Sequence, residues 1–195
     1  MIIENNYIIV LTASAGGLKA LSTILSDLPK DFPAPIVVVQ HLAPNYPSMM
    51  AEILGRRTLL RVKQAEAGDE LYPGTVYIAP PNQHVLVNPD CTLSLSSGEK
   101  VRHVRPAGDV LFQSAATSFP KQIIAVVLTG MDYDGSNGIQ TVKQMGGIVI
   151  AQNEATCEFF SMPQAAIKTG VVDFILPLEA IAPNLLNLVK VAVNL

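Results

Sequence analysis

A serine stands before two glycines in the stretch LTASAGGLKAL, residues 11–21. The apolar run YIIV precedes this stretch and a helical pattern follows it, so Ser14 falls at a strand-to-helix corner. Three roles suit a serine in that place: part of a phosphate cradle, part of a plain tight turn that caps the helix, or a nucleophile on a sharp bend. A phosphate cradle suits the stretch least, because it lacks the G-x-G-x-x-G spacing and the P-loop lysine.

Other polar residues follow two further strand-like runs. The run VVVQ ends at His41, and the run ending VVLTGM leads to Asp132 and Asp134. In a parallel sheet, polar groups beyond the carboxyl ends of neighbouring strands meet in one crevice. Histidine accepts a proton from a serine hydroxyl, and a carboxylate behind the imidazole fixes its tautomer. The residues therefore predict a Ser–His–Asp site, and they leave open whether Asp132 or Asp134 is its acid.

Each of these residues also has a structural interpretation. A serine before a helix is most often an N-cap, and a histidine at a strand end is often only a hydrogen-bonding core group. The G-x-S-x-G elbow is half met, because position 12 is Thr12. DYDGSNG resembles a calcium loop but has Asn137 and Lys143 where that loop needs glycine and glutamate, so no metal site is predicted. His84 and His103 follow no parallel strand.

Val- and Ile-rich runs alternate with helical patterns along the chain. This alternation predicts an α/β fold, a doubly wound and mostly parallel sheet with helices on both faces. Residues 59–98 instead show short alternating runs between turns, which predicts an inserted antiparallel hairpin or meander. Asp109 and Ser136 are predicted helix N-caps. Strands are predicted near residues 7–11, 36–40, 123–128, 148–151 and 171–175, and helices near 17–26, 48–54, 109–118, 136–145, 163–169 and 178–193.

Composition limits the class of protein. The 195 residues are 49% hydrophobic and 15% charged, which predicts one folded domain over residues 1–195 and argues against disorder. A net charge of −3 without a Lys/Arg stripe argues against nucleic-acid binding. The apolar runs are too short to cross a bilayer, so direct membrane insertion is not expected. Cys91 and Cys157 are interpreted as reduced thiols, and with no signal-peptide pattern they predict a cytoplasmic protein.

Six stretches carry a family resemblance. In chain order they are SAGGLKAL, QHLAPNYPSMMAEIL, YIAPPNQHVLV, RPAGDVLFQSAA, VVLTGMDYDGSNGI and AQNEATCEFFSMPQAAI. Together they resemble the catalytic domain of the chemotaxis protein-glutamate methylesterases (CheB) over residues 7–190, nearly the whole chain. The resemblance implies hydrolysis of γ-glutamyl methyl esters on the cytoplasmic domain of methyl-accepting chemoreceptors, and deamidation of receptor glutamines as in many members. It implies no cofactor.

The resemblance also assigns site residues. It implies that Ser14 is the nucleophile and His41 the base, and it selects Asp134, because the family's aspartate precedes the glycine of its TGM-x-x-DG motif. Met131 matches a methionine that lines the family's site. Ala15, beside the nucleophile, is the second substrate-binding residue. The implied mechanism is a two-step acyl transfer.

The sequence departs from the family pattern at three positions near these residues. Thr12 stands where the family usually has Gly, Ala15 where it has Thr, and Asp132 where it has Gly. An extra carboxylate at Asp132 is expected to raise the pKa of His41 or to disfavour an acidic substrate. These departures keep two alternatives open: a non-catalytic module that binds a receptor or partner through the same cleft, and a small-molecule carboxylesterase.

Two expectations concern partners. Typical members carry an N-terminal receiver domain, whereas Met1 here lies a few residues before the first predicted strand. We therefore expect a stand-alone esterase, or a receiver domain that lies on a separate polypeptide or outside this sequence. The segment KVRHVRP, with Lys100, Arg102 and Arg105, is interpreted as a solvated loop in preference to a surface for an acidic receptor.

Overall fold

A computed structural model of the protein describes residues 7–42 and 47–191. Its strands are β1 (Ile8–Ala13), β2 (Ile36–Gln40), β3 (Arg61–Gln64), β4 (Thr75–Ile78), β5 (His84–Val87), β6 (Leu93–Ser96), β7 (Ile123–Val127), β8 (Ile148–Gln152) and β9 (Phe174–Leu176). Its helices are α1 (Gly17–Ser26), α2 (Met50–Gly55), α3 (Gly108–Ser118), α4 (Gly138–Gln144), α5 (Ser161–Lys168) and α6 (Leu178–Val191), with a 3₁₀ turn at Glu154–Thr156.

The main sheet has seven strands in the order β3-β4-β2-β1-β7-β8-β9, and every pair in it is parallel. Strands β1, β2 and β7 are buried along their whole length, which explains their continuous apolar runs. After β1 the chain forms β2, β3 and β4 on one side of β1, and it then forms β7, β8 and β9 on the other side. The direction of winding therefore reverses between β1 and β7, the position where ligands of such sheets bind.

Helices cover both faces of this sheet. Helices α1, α2 and α6 bury apolar side chains such as Leu21, Leu54 and Leu185 on one face. Helices α3, α4 and α5, with the β5–β6 hairpin, bury side chains such as Phe112 and Val142 on the other. The predicted doubly wound α/β class is thus confirmed. Within the described ranges, no helix is both long and apolar enough to cross a membrane.

The prediction for residues 59–98 was wrong in part. Only β5 and β6 form an antiparallel pair, whereas β3 and β4 join the main sheet as parallel strands. The reason is burial: all of β4 is buried, so its short apolar run belongs to a sheet covered on both faces. The turn signals around LYPG mark the crossover from β3 to β4, not a hairpin.

Both N-cap predictions were also wrong. Helix α3 has Ala107 at its N-cap and helix α4 has Asn137, and neither makes a side-chain cap. The caps come from other parts of the chain. The Asp109 carboxylate, in the first turn of α3, accepts hydrogen bonds from the backbone N–H groups of Asn137 (3.0 Å) and Gly138 (2.8 Å), at the start of α4.

Candidate active site

Ser14 lies in the turn between β1 and α1. The backbone reverses at Gly16, whose φ of +78° is in the left-handed region that favours glycine. A Cβ on Gly16 would come within 2.9 Å of the Glu158 Cβ, so space also requires glycine there. The short turn leaves the Ser14 side chain half-buried at the carboxyl end of β1.

The Ser14 backbone is held by three hydrogen bonds. Its N–H donates to the Thr129 carbonyl (3.0 Å), and its carbonyl accepts from the Gly17 N–H (2.9 Å) and from Gln40 Nε2 (2.8 Å). Thr129 follows β7 and Gln40 ends β2, so the two strands that flank β1 both fix the turn. Across the described ranges, the Ser14 hydroxyl itself has no hydrogen-bond partner.

His41 follows the neighbouring strand. Ala13 and Gln40 are paired in register, and the His41 N–H donates to the Ala13 carbonyl (3.0 Å). Ser14 and His41 therefore occupy adjacent positions beyond the ends of adjacent strands, as the sequence predicted. The imidazole is only 11% exposed, and its Nε2 donates to Asp134 Oδ2 at 2.8 Å.

Asp134 is the most buried member of this group, with 1% of its side chain exposed. Its Oδ1 accepts from the backbone N–H groups of Asp109 (3.0 Å) and Gly135 (2.9 Å), and its Oδ2 accepts from the Gly108 N–H beside the imidazole. Gly108 and Asp109 are the first residues of α3. One carboxylate thus caps a helix and orients the histidine.

Asp132 meets the same imidazole from its other side. Its Oδ2 lies 2.9 Å from His41 Nδ1, in an ion pair, and its Oδ1 accepts from the Asp134 N–H at 2.8 Å. An ionised carboxylate only accepts hydrogen bonds, so two carboxylates on one ring require a hydrogen on each ring nitrogen. The geometry is that of an imidazolium between Asp132 and Asp134. The structure thus joins His41 to both acids that the sequence offered, but not to the Ser14 hydroxyl.

The electrostatics agree with this geometry. Burial by itself lowers the pKa of His41, but the hydrogen bonds and charges of Asp132 and Asp134 outweigh burial and raise the pKa to about 9. Burial alone would likewise raise the pKa of Asp132, but the hydrogen bonds from His41 and from the Asp134 N–H, with the charges of His41 and Arg102, lower it overall. Asp132 thus raises the pKa of His41, which is the direction expected from the sequence.

Known proteins share this architecture. A model of the family described as CheB methylesterase matches residues 9–185. The chain belongs to the CheB methylesterase family. The crystal structure of the Thermotoga maritima CheB methylesterase catalytic domain superposes with a TM-score of 0.90 at 42% identity, covering 93% of this chain and 98% of that chain. The family resemblance and the fold predicted from the sequence are confirmed, and the family is one of carboxylic ester hydrolases.

Relatives differ in length. A protein-glutamate methylesterase/protein-glutamine glutaminase of Thermotoga maritima is 43% identical over 93% of this chain but is itself covered for only 54% of its length. The protein-glutamate methylesterase FrzG of Myxococcus xanthus is 40% identical, with 94% of this chain and 55% of FrzG covered. A Leptospira interrogans protein that carries the first of these names provisionally is 41% identical, with 94% of this chain and 95% of that protein covered.

Two predicted substrate-binding residues border the serine of this CheB-family site. The Ala15 carbonyl accepts from Thr129 Oγ1 (3.0 Å), which fixes the peptide after Ser14. Within the described ranges, the Ala15 and Gly16 N–H groups donate to no backbone acceptor, and they lie at the positive end of the α1 dipole. The Met131 side chain is 64% exposed, in the loop after β7.

A cavity of about 480 Å³ opens beside Ser14. Its charged lining residues are Lys19, Arg57 and Glu158, and the sequence analysis missed all three. Because they come from α1, the end of α2 and the loop before α5, nothing in their spacing links them. A second cavity of about 280 Å³ shares Leu18, Leu42 and Met50 with the first and is mainly apolar.

The segment KVRHVRP is a solvated loop, in which Lys100 and Arg102 are exposed, and its two arginines also hydrogen-bond to neighbouring loops. Arg102 Nη1 donates to the Tyr133 carbonyl (3.0 Å), between the two acids of the site. Arg105 donates to the carbonyls of Ser97 (2.6 Å) and Gly98 (2.5 Å) beyond β6. In the part of the chain that the structure describes, no group of three or more His, Cys, Asp or Glu side chains is placed to hold a metal ion.

Proposed function

We propose that this chain hydrolyses γ-glutamyl methyl esters on the cytoplasmic domain of a methyl-accepting chemoreceptor and deamidates receptor glutamines. The observation that carries the proposal is the His41 imidazole, held on buried Asp134 beyond the strand next to Ser14. Membership of the CheB methylesterase family supports the ester substrate, and the name of the Thermotoga maritima relative supports both reactions.

The proposed reaction has two acyl-transfer steps. His41 takes the hydroxyl proton of Ser14 while the serine oxygen attacks the side-chain carbonyl of the methylated glutamate. His41 returns that proton to the departing methanol, and water then hydrolyses the acyl-enzyme by the same route. Because Asp134 occupies Nε2, the ring nitrogen that serves Ser14 in this scheme is Nδ1. The Ala15 and Gly16 N–H groups are the proposed donors to the oxyanion.

The cavity beside Ser14 suits a methylated helix. The proposed substrate is a receptor helix that carries other carboxylates, and Lys19 and Arg57 offer cations for them at the cavity wall, where Glu158 also lies. The adjoining apolar cavity suits the aliphatic side chains of the same helix. The substrate is therefore proposed to lie across both cavities, with its ester at Ser14.

Methanol release from methylated receptor tests this function. Ser14→Ala is expected to lower the rate by about four orders of magnitude, as loss of a nucleophile from such a unit does. Ser26→Ala, at the exposed far end of α1, is the matched control and is expected to keep the wild-type rate. Equal methanol release by the wild type and Ser14→Ala would refute the proposed mechanism.

A second candidate function is a non-catalytic receptor-binding module. It is favoured by one observation: both ring nitrogens of His41 contact carboxylates, and within the described ranges neither is hydrogen-bonded to the Ser14 hydroxyl. A fluorophosphonate probe distinguishes the two candidates, because it labels only an activated serine. Tight receptor binding with no labelling of Ser14 at any pH would favour the binding module.

A further inference from the structure

The Asp132 carboxylate occupies the hydrogen-bonding position that the mechanism requires for Ser14. His41 Nε2 is committed to Asp134, which leaves Nδ1 as the one ring nitrogen that can serve the serine. Nδ1 instead lies 2.9 Å from Asp132 Oδ2, in an ion pair. An imidazole nitrogen makes one in-plane hydrogen bond, so Asp132 and Ser14 compete for the same site.

The Asp132 side chain is held in this place by its own loop. Its second oxygen accepts from the Asp134 N–H, two residues along the chain, which fixes the carboxylate toward His41. Arg102 braces the same loop through the Tyr133 carbonyl, and its charge favours the ionised form of Asp132. No substrate is needed to bring Asp132 to the ring.

The two acids on His41 differ in how easily each can leave. Asp134 is 1% exposed and accepts three backbone hydrogen bonds besides that of the ring. Asp132 is 37% exposed and accepts one. Rotation of Asp132 into solvent therefore breaks few contacts, whereas release of Asp134 would uncap α3. Of the two contacts to His41, the one at Nδ1 is the one that can open.

We propose that Asp132 is a positioning residue that holds His41 in a resting, doubly paired state, and that turnover requires its release from Nδ1. The inference rests on the proposed function, because it assigns the state of His41 before Ser14 is activated. In the described structure Asp132 and Asp134 contact the ring directly; Arg102 acts on Asp132, and Asp109 is coupled to Asp134.

Protonation links this resting state to pH. With a pKa near 9, only about one hundredth of His41 is neutral at pH 7, and only the neutral ring accepts a proton from serine. Burial, which lowers the pKa of His41, and Asp134, which raises it, both remain when Asp132 is removed, so the pKa of His41 falls. Loss of Asp132 should therefore move the rise in activity toward neutral pH.

The test compares pH profiles of the wild type, Asp132→Ala and Asp132→Asn from pH 5.5 to 9.5, with exposed Asp27→Asn on the far end of α1 as control. Two rates are measured: methanol release from methylated receptor as kcat/KM, and labelling of Ser14 by a fluorophosphonate. Both rates should rise toward pH 9 in the wild type and the control. In Asp132→Ala the midpoint should fall by at least about one pH unit, so that the rates at pH 7 increase about 10-fold or more. At pH 9.5 the variant and the wild type should converge.

The outcomes separate this inference from the proposed function. Asp132→Ala profiles with the wild-type midpoint, or rates lowered at every pH, would overturn the role of Asp132. If the wild type releases no methanol at any pH, the proposed function fails, and the Ser14 labelling profile still decides the inference. The imidazole NMR titration of His41 gives a readout free of catalysis: an unchanged pKa in Asp132→Asn and Asp132→Ala would also contradict it.

Discussion

Replacement of Asp134 is expected to destabilise the fold far more than replacement of Asp132. Asp134→Ala removes the acceptor of three buried backbone N–H groups and the inner partner of the imidazole. Each buried donor left without an acceptor costs about 1–3 kcal/mol, and breaking a buried charged pair costs about 3–5 kcal/mol. These costs overlap, because water can enter the space that the carboxylate leaves, so we expect a total loss of about 3–5 kcal/mol in the free energy of unfolding.

Two further variants set the scale. Asp134→Asn keeps one oxygen toward the start of α3 and is expected to lose about 1–3 kcal/mol. Asp132→Ala removes a side chain that is 37% exposed and accepts one backbone hydrogen bond, and it also removes an ion pair to His41, so its loss should be about 1–2 kcal/mol. The order of stability at pH 7 is therefore Asp132→Ala above Asp134→Asn above Asp134→Ala.

Urea denaturation followed by circular dichroism measures this order, with equal m-values as the sign that the denatured state is unchanged. If Asp134→Ala proved no less stable than Asp132→Ala, the capping role of Asp134 would be refuted. The result also governs how activity data are interpreted. Activity lost in a protein that has lost about 4 kcal/mol does not identify a catalytic residue, so the isosteric Asp134→Asn is the informative variant.

Three further predictions follow from the site. The folded-state pKa of His41 is raised from 6.5 to about 9, so the stabilisation from its charged form is complete below about pH 6.5. The free energy of unfolding should decline by on the order of 3 kcal/mol as pH rises through about 9. Urea denaturation at each pH measures this decline, and His41→Gln should remove the pH dependence. Gly17→Ala would place a Cβ 1.9 Å from Gln40 Oε1, so the Gln40 amide should move away from the serine turn and kcat should fall about 10-fold. Gly55→Ala is the control: its Cβ would lie 3.7 Å from the nearest neighbour, so kcat should stay unchanged. Arg57→Ala should raise KM for methylated receptor several-fold at low salt with little change in kcat, and an equal effect at high salt would contradict a charge contact.

Much of the fold was predictable because the central strands are buried on both faces. Strand β2 and helix α1 have the predicted bounds, since a continuous Val/Ile run and a clear apolar stripe leave little choice. Strands β3 and β4 were predicted as antiparallel because short runs of four residues fit either pairing. Strand β4 pairs with β2, which is distant in the chain, and β3 pairs with β4; this is tertiary information that the local pattern does not contain.

The site was predictable to the level of strand ends and no further. Ser14 and His41 adjoin because β1 and β2 pair in register, which the topology implies. The residues alone could not choose between Asp132 and Asp134, and the structure shows why: a two-residue spacing in one tight turn lets both reach the ring. The reach of Asp109 to the start of α4 had no signal in the sequence, because the capped helix follows a different strand.

Ser14 is held through its backbone, and its hydroxyl makes no hydrogen bond to any other residue in the ranges 7–42 and 47–191. A protein without that hydroxyl should keep the same cleft and the same affinity for methylated receptors. Produced in excess, such a protein would be an inert decoy that shields receptor methyl groups from the active form. In the proposed function, the loss of one oxygen atom from this protein would thus keep the receptors of a cell methylated.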